Sequence, residues 1–531
     1  MKIRSLILAI LLLTFPFILF SQSKQDPNAG IDKYIAAMQL IKFAYVDTVK
    51  ESKLVETALI ETLKELDPHS QYISKKELAQ ANEPLVGNFE GIGVQFQIFK
   101  DTILIVHPIP GGPSYKLGIQ SGDKIIRINE EEVAGKKISN KFVFDRLRGK
   151  KGTKVNVSIL RRGNKDLLEY AITRDKIPIN SIDAAFMFDK EVGYINLNRF
   201  SQTTMNEFRT AMDKLKAQGI KKLILDLRGN SGGYLNTAVE LSDEFLPSGK
   251  LVVYTKGMRA PSEKFVSSAR GNFEQGQLVI LINEGSASAS EIVSGAVQDW
   301  DRGIILGRRS FGKGLVQRPF MLPDSSELRL TTARYYTPSG RCIQRPYTEG
   351  FDDYMSDFRN RVRHGELVSA DSIHMNDSLK YFTNNKRTVY GGGGIMPDVF
   401  VAWDSTIYTD YYTDLRRKDV INGFVTQFVD NQRADLLKKY PEFLRFKKDF
   451  VVDEEMLKDF IALGEKEGVP FKEEDYHISK QLIANQLKAL TAQKLWDYNA
   501  FFEIALEIDN EFLRAIDLLK GPDYTSYLIS K

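Results

Sequence analysis

The chain has 531 residues, 43% of them hydrophobic and 27% charged, with a formal net charge of +4. That length exceeds the roughly 250 residues at which one core stops growing, so about three structural units are expected, and the composition excludes a disordered or fibrous chain. The weak positive balance offers no footprint for nucleic acid, and Cys342, the only cysteine, excludes an intramolecular disulfide.

The first residues, Met1-Lys2-Ile3-Arg4, are basic, Leu6 to Phe20 is an apolar run, and Ser21-Gln22-Ser23 is a small-x-small end. Residues 1–23 therefore read as a secretory signal that places the protein in the periplasm or cell envelope. The run falls short of the ~20 residues that span a bilayer, and if uncleaved it is a membrane anchor. No cysteine near it invites lipidation. Removing it takes away Lys2 and Arg4 and leaves a charge of +2.

Residues 31–85 form a helical region, with Tyr34, Met38, Ile41 and Ala44, then Leu54, Leu59 and Leu63, near a period of 3.6. It contains the stretch Leu66-Asp67-Pro68-His69-Ser70-Gln71-Tyr72, where Pro68 marks a turn. From 86 to 165 short Val/Ile runs alternate with glycine turns. There Gly112-Pro113-Ser114-Tyr115-Lys116-Leu117-Gly118-Ile119, followed by Ser121-Gly122-Asp123-Lys124-Ile125-Ile126, resembles the short helix, turn and strand of a PDZ domain. The resemblance puts Gly91, Ile92, Gly93 and Val94 in the carboxylate-binding loop, where successive amides hold a peptide's terminus while the peptide adds a strand. The bland alternative is a glycine turn in an unrelated barrel.

Residues 178–402 alternate strand and helix: strands at Val192–Leu197, Leu223–Leu227 and Leu278–Ile282, and a helix at Thr204–Gln218, as in an α/β core. A polar, loop-rich insert spans 346–390, and 405–531 is amphipathic and helical. No fixed repeat is evident.

Three motifs compete for the chemistry. Gly229-Asn230-Ser231-Gly232-Gly233 fits a G-x-S-x-G nucleophile elbow, but its histidine would have to be His364, His374 or His477, none at the end of a core strand. Gly307-Arg308-Arg309-Ser310-Phe311-Gly312-Lys313-Gly314 begins like a phosphate loop but ends on Gly314 instead of Ser or Thr, and the strand-like Leu315-Val316-Gln317 follows where a helix should. The third is a pair. Gly285-Ser286-Ala287-Ser288-Ala289-Ser290-Glu291-Ile292 turns from a strand into a helix and presents a serine at its positive end, and Phe311-Gly312-Lys313-Gly314-Leu315-Val316-Gln317 offers an enclosed lysine that burial can neutralise into a base. Taken singly, Ser288 reads equally well as a packing residue and Lys313 as a surface lysine.

These segments, with Asp226-Leu227-Arg228-Gly229-Asn230-Ser231-Gly232-Gly233 before them and Tyr335-Tyr336-Thr337-Pro338-Ser339-Gly340-Arg341 after them, resemble the C-terminal processing (tail-specific) peptidases from the N-terminal region to about residue 402. The resemblance implies an α/β multidomain protein. Its core is a crotonase/Clp-protease-like peptidase with an inserted β-rich PDZ domain and helical N- and C-terminal regions. It implies Ser288 as nucleophile, Lys313 as general base, Gln317 orienting the lysine, and Gly233 with Ala289 as the oxyanion hole, Gly232 being the alternative glycine. Asp299 falls where relatives carry an acid near the site, and a helix-surface charge fits it equally well. Cys342, where relatives have a polar residue, reads as structural, in a turn leading into a strand.

The expected activity is serine endopeptidase cleavage of protein or peptide substrates with free C-termini, with no cofactor and no metal: there is no His-Glu-x-x-His, and the five histidines are scattered. The rivals are a catalytically silent PDZ scaffold and a Ser231-based Ser/His hydrolase. The helices at both ends suggest a homodimer.

Overall fold

A computed structural model describes residues 28–530, so the expectations for the leader lie outside the described residues. The chain divides after Thr62. In the first unit, the helix Ala29–Ala44 buries none of its residues and exposes Ile31, Tyr34, Ile35, Leu40 and Phe43.

The second unit centres on a six-stranded sheet in the order Ile182–Met187, Val192–Leu197, Lys222–Asp226, Gln277–Ile282, Ile304–Gly307, Val399–Phe400. The first pair is antiparallel and the others parallel. Near-continuous apolar strands of this kind require cover on both faces. Alternate side chains such as Ile195, Leu225 and Ile280 pack on one face against the helices Thr204–Ala217, Leu235–Asp243 and Ala289–Asp299. Tyr194, Ile224 and Leu281 point the other way, against Phe512, Ala515 and Leu518 of the helix Asn510–Lys520. The last part of the C-terminal region is thus integral to the core. Arg228, at the end of a central strand, reinforces this by pairing with Asp509 at 2.8 Å and with Glu511.

A second sheet pairs Glu327–Tyr336 with Leu315–Met321, with Leu251–Lys256 and with the short strand Gln71–Ile73. It brings the Asp67–Ser70 turn beside the strand that follows Lys313.

The β-rich insertion enters through Asn88–Gly91 and leaves through Asp175–Pro178, which pair as an antiparallel stem. Its sheet runs Val94–Phe99, Thr102–Pro108, Lys124–Ile128, Lys154–Leu160, Leu168–Thr173, so Val94–Phe99 is an edge strand. The remaining C-terminal helices, Asp410–Arg417 to Tyr498–Ala505, form a core of their own around Phe446, Phe460 and Leu487. They touch the insertion, where Gln97 donates to Thr426 at 3.1 Å. The segment 346–390 is more ordered than its polarity suggests. It holds the helix Phe351–Arg363, kept in place by buried Tyr354 and Arg361, and a hairpin of Lys380–Phe382 with Thr388–Tyr390. Among the described residues no helix is long and apolar enough to cross a membrane.

Candidate active site

The strand Gln277–Ile282 ends in a turn tied to the neighbouring loop Leu227–Gly233. Asn283 Oδ1 accepts from the amides of Gly229 (2.8 Å) and Gly285 (3.0 Å), and the Ser286 hydroxyl donates to Leu227 O at 2.8 Å. The Ser290 hydroxyl donates to Asn230 O at 2.8 Å, and the Ala287 amide to the same oxygen at 3.0 Å. Ser286 and Ser290 are fully buried in these bonds, whereas Ser288 between them stays partly exposed. Ser288 has φ +54° and ψ −111°, a conformation costing roughly 1–3 kcal/mol in a residue with a side chain. The surrounding bonds hold it there, with its side chain at the start of the helix Ala289–Asp299.

The double glycine lies alongside. A Cβ on Gly232 would stand 2.8 Å from Ser288 Cβ and 3.0 Å from Ala289 N, and one on Gly233 only 2.0 Å from Phe200 O. The Gly232 amide is occupied, donating to Asn230 Oδ1 at 2.9 Å. Among the described residues neither the Gly233 nor the Ala289 amide has an acceptor. Two free donors therefore flank the partly exposed serine, the arrangement an oxyanion needs.

Lys313 sits in the loop before the strand Leu315–Met321. Its Nζ donates to Gln317 Oε1 at 3.1 Å, and Gln317 Nε2 donates to His69 O. Burial holds the lysine below its ordinary value, while the charges of Asp67 and Glu291 pull it back up. Among the described residues no hydrogen bond joins Nζ to Ser288 Oγ, a contact that often tightens only when substrate binds.

The two segments are joined through their main chains instead. Glu291, fully buried, accepts from the amides of Ser288 (2.8 Å), Gly312 (2.7 Å) and Lys313 (2.9 Å) and from the Ser310 hydroxyl. Burial pushes its carboxyl above the ordinary value, and these four donors oppose that shift. The buried Tyr335 hydroxyl adds a second clasp, 3.0 Å from Ser288 O and 2.6 Å from Lys313 O. Glu291 was passed over in the sequence, although Ser288-x-x-Glu291 at a helix start is a capping-box pattern.

Gly91, Ile92, Gly93 and Val94 run from the last residue of the stem strand to the first of the edge strand. Gly93 has φ +74°, and among the described residues the Ile92 and Gly93 amides have no acceptor. Beside the strand runs the helix Asn140–Leu147, whose Phe144 meets Phe96 at 5.4 Å.

One of the two readings of Asp299 falls, and among the described residues no strand directly follows the turn before Cys342. Asp299 is not a surface charge but a buried partner of Arg341 at 2.8 Å, and it also accepts from the Ser339 amide. Its role is to hold the Thr337–Arg341 turn. Cys342 lies in a loop after that turn, where burial pushes its thiol up, away from reactivity. Ser231 is exposed, and among the described residues none of His364, His374 and His477 bonds to it. Among the described residues no cluster of His, Cys, Asp or Glu could hold a metal.

Residues 191–351 match peptidase family S41, residues 91–172 a PDZ domain, and residues 411–497 a family of unknown function. The carboxy-terminal-processing protease of Bartonella bacilliformis is 33% identical over 329 residues, covering 61% of this chain and 75% of that protein. The carboxy-terminal processing proteases CtpB and CtpA of Bacillus subtilis are 31% and 34% identical, covering 69% and 62% of this chain and 75% and 70% of theirs. The chain belongs to peptidase family S41, among the carboxy-terminal processing serine proteases. Its peptidase core carries an inserted PDZ domain, and the α/β multidomain expectation holds.

Proposed function

We propose that this serine peptidase cleaves peptide bonds with a Ser288/Lys313 dyad, and that the PDZ domain presents the free C-terminal tail of an unfolded substrate. The observation that carries the reading is the buried Glu291 carboxylate, which joins the Ser288 and Lys313 main chains beside two unpaired amides. Neutral Lys313 takes the proton from Ser288 Oγ, which attacks the carbonyl carbon. The Gly233 and Ala289 amides hold the oxyanion, and Lys313 returns the proton to the leaving amine. Water then hydrolyses the ester. Gln317 holds the amine between proton transfers, since its carbonyl accepts from Nζ.

The free Ile92 and Gly93 amides and the unpaired edge at Val94–Phe99 support tail capture. The basic and apolar start of the sequence supports export to the periplasm or envelope. The uncovered apolar side chains of Ala29–Ala44 support pairing with a second copy.

The test is hydrolysis of an unfolded protein with an apolar free C-terminus, with fragments read by mass spectrometry. Ser288→Ala and Lys313→Ala should each lose on the order of 10³-fold or more, and Ser231→Ala should retain activity. Loss in Ser231→Ala alone would move the nucleophile. An amidated tail cut as well as the free acid would remove tail recognition. The base must be neutral, so activity should fall as pH drops through the Lys313 value, on a limb below the ~10.4 of an ordinary lysine.

A further inference from the structure

The helix Phe351–Arg363, in the segment to which the sequence assigned no chemistry, sends one side chain toward the lysine. Tyr354 is 2% exposed, and its hydroxyl lies 2.8 Å from His69 Nε2. The two rings meet edge-on at 5.3 Å, and the His69 ring also faces Phe311, two residues before Lys313, at 6.4 Å. Arg345 lies over the Tyr354 ring at 3.8 Å and over Phe311 at 4.2 Å. The hydrogen bond that matters next is made by backbone: the carbonyl of His69 accepts from Gln317 Nε2, and the same amide's oxygen holds Lys313 Nζ. A primary amide cannot turn over without losing both bonds, so wherever the His69 carbonyl stands, the Gln317 oxygen and the amine follow.

We infer that Tyr354 and His69 are positioning residues for Lys313, the hydroxyl–imidazole contact fixing the Asp67–Ser70 turn so that the His69 carbonyl sets Gln317 and, through it, the lysine amine. This rests on the reading of Lys313 as the base. Three segments far apart in the chain (the turn after the N-terminal helices, the lysine strand and the helix Phe351–Arg363) meet at one amide. The sequence between 346 and 390 thereby contributes to catalysis without touching substrate. His69 is suited to a fixed role: burial above all holds its imidazole down to about 3, so it is neutral where Lys313 is the neutral base. The charges acting on Lys313 are Asp67, Glu291 and Arg329, and the substitution that tests the relay alters none of them.

The experiment is a double-mutant cycle on the full chain with Tyr354→Phe and Gln317→Ala, reading kcat, KM and the acidic limb of kcat/KM. Tyr354→Phe keeps both ring contacts and removes only the hydroxyl. It should lower kcat about tenfold with KM unchanged, since misplacing a reacting group by less than 1 Å is already costly. In the Gln317→Ala background it should cost less than about twofold, because the link it acts through is gone. The limb should move in each single variant and no further in the double. Partial unfolding would lower the active fraction without moving the limb, so the readout survives a less stable variant. An unchanged kcat and limb in Tyr354→Phe, or a tenfold loss that persists without Gln317, would overturn the relay while leaving the dyad intact. Full activity in Lys313→Ala would remove the dyad itself, and the relay with it.

Discussion

The turn at Ser288 and the pocket around Lys313 are constructed in opposite ways. Apart from the Tyr335 hydroxyl on its carbonyl, the serine is held by its sequence neighbours and one adjacent loop: Asn283, Ser286 and Ser290 bond to residues 227–230, and these bonds maintain a backbone angle the serine would not otherwise adopt. The lysine has almost no local support. Its position depends on Glu291 from the serine's helix, Gln317 from the following strand, and His69 and Tyr354 from segments beyond. A strained, short-range element can be exact yet rigid. A long-range one couples a reactive group to distant parts of the molecule, and its positioning can change when any of those parts moves.

Glu291 is where the two constructions meet, and outside the dyad Glu291→Ala should have the largest effect. It strands the amides of Ser288, Gly312 and Lys313 and the Ser310 hydroxyl, at a cost of roughly 4 kcal/mol or more by the usual penalty of about 1–3 kcal/mol for each unpaired donor. Activity should fall on the order of 10²-fold or more, with both serine and lysine displaced. Thermal unfolding and kcat should therefore drop together. A variant with wild-type kcat would show that the serine turn and the lysine pocket do not depend on this link.

Gly232→Ala separates the two halves. The new Cβ would stand 2.8 Å from Ser288 Cβ and 2.9 Å from Ala287 O, at φ +104°, so the serine turn or the glycine loop must yield. Nothing near Lys313 is touched. The expected loss is about 10²-fold in kcat, the size of a misaligned oxyanion donor, with the acidic limb where it was. A shifted limb would mean that the serine side sets the lysine environment, against the separation drawn here.

The same contrast explains what could be read in the sequence. The turn that carries Ser288 is legible because its determinants are contiguous: a buried strand, small residues and a helix start occupy residues 278–292. The sheet strands were legible for the same reason, as Leu223–Leu227 and Leu278–Ile282 carry their apolar character in uninterrupted runs. Lys313 is a candidate from its glycine-flanked segment alone, but its choice over an exposed lysine, and Gln317 altogether, rest on the family resemblance, since nothing local tells an enclosed lysine from an exposed one. His69 and Tyr354 stand 285 positions apart, and no pattern within either segment announces the other. For Asp299 the sequence leaves an acid near the site and a surface charge equally open, because the partner that buries it, Arg341, lies 42 positions on. Tyr354 was hidden by composition: the helix Phe351–Arg363 is mostly polar and only a few of its side chains turn inward.

The smallest expected effect probes the lysine pocket by charge alone. Asp67 is buried in the turn, where Oδ1 accepts from the amides of His69 and Ser70 at 2.8 Å and from the Thr331 hydroxyl at 3.0 Å. Asparagine can keep that acceptor while giving up the negative charge. The Asp67 charge favours protonated Lys313 and holds the lysine value up against burial. Without it the ammonium is less favoured and the value falls, so the neutral base persists to lower pH and the acidic limb of kcat/KM moves down. At the plateau the lysine is neutral in both proteins, and kcat should agree within about threefold because the turn keeps its shape. A limb that moved upward would mean that the carboxylate acts by holding the turn and not by its field. Lys313 would then be tuned by enclosure alone.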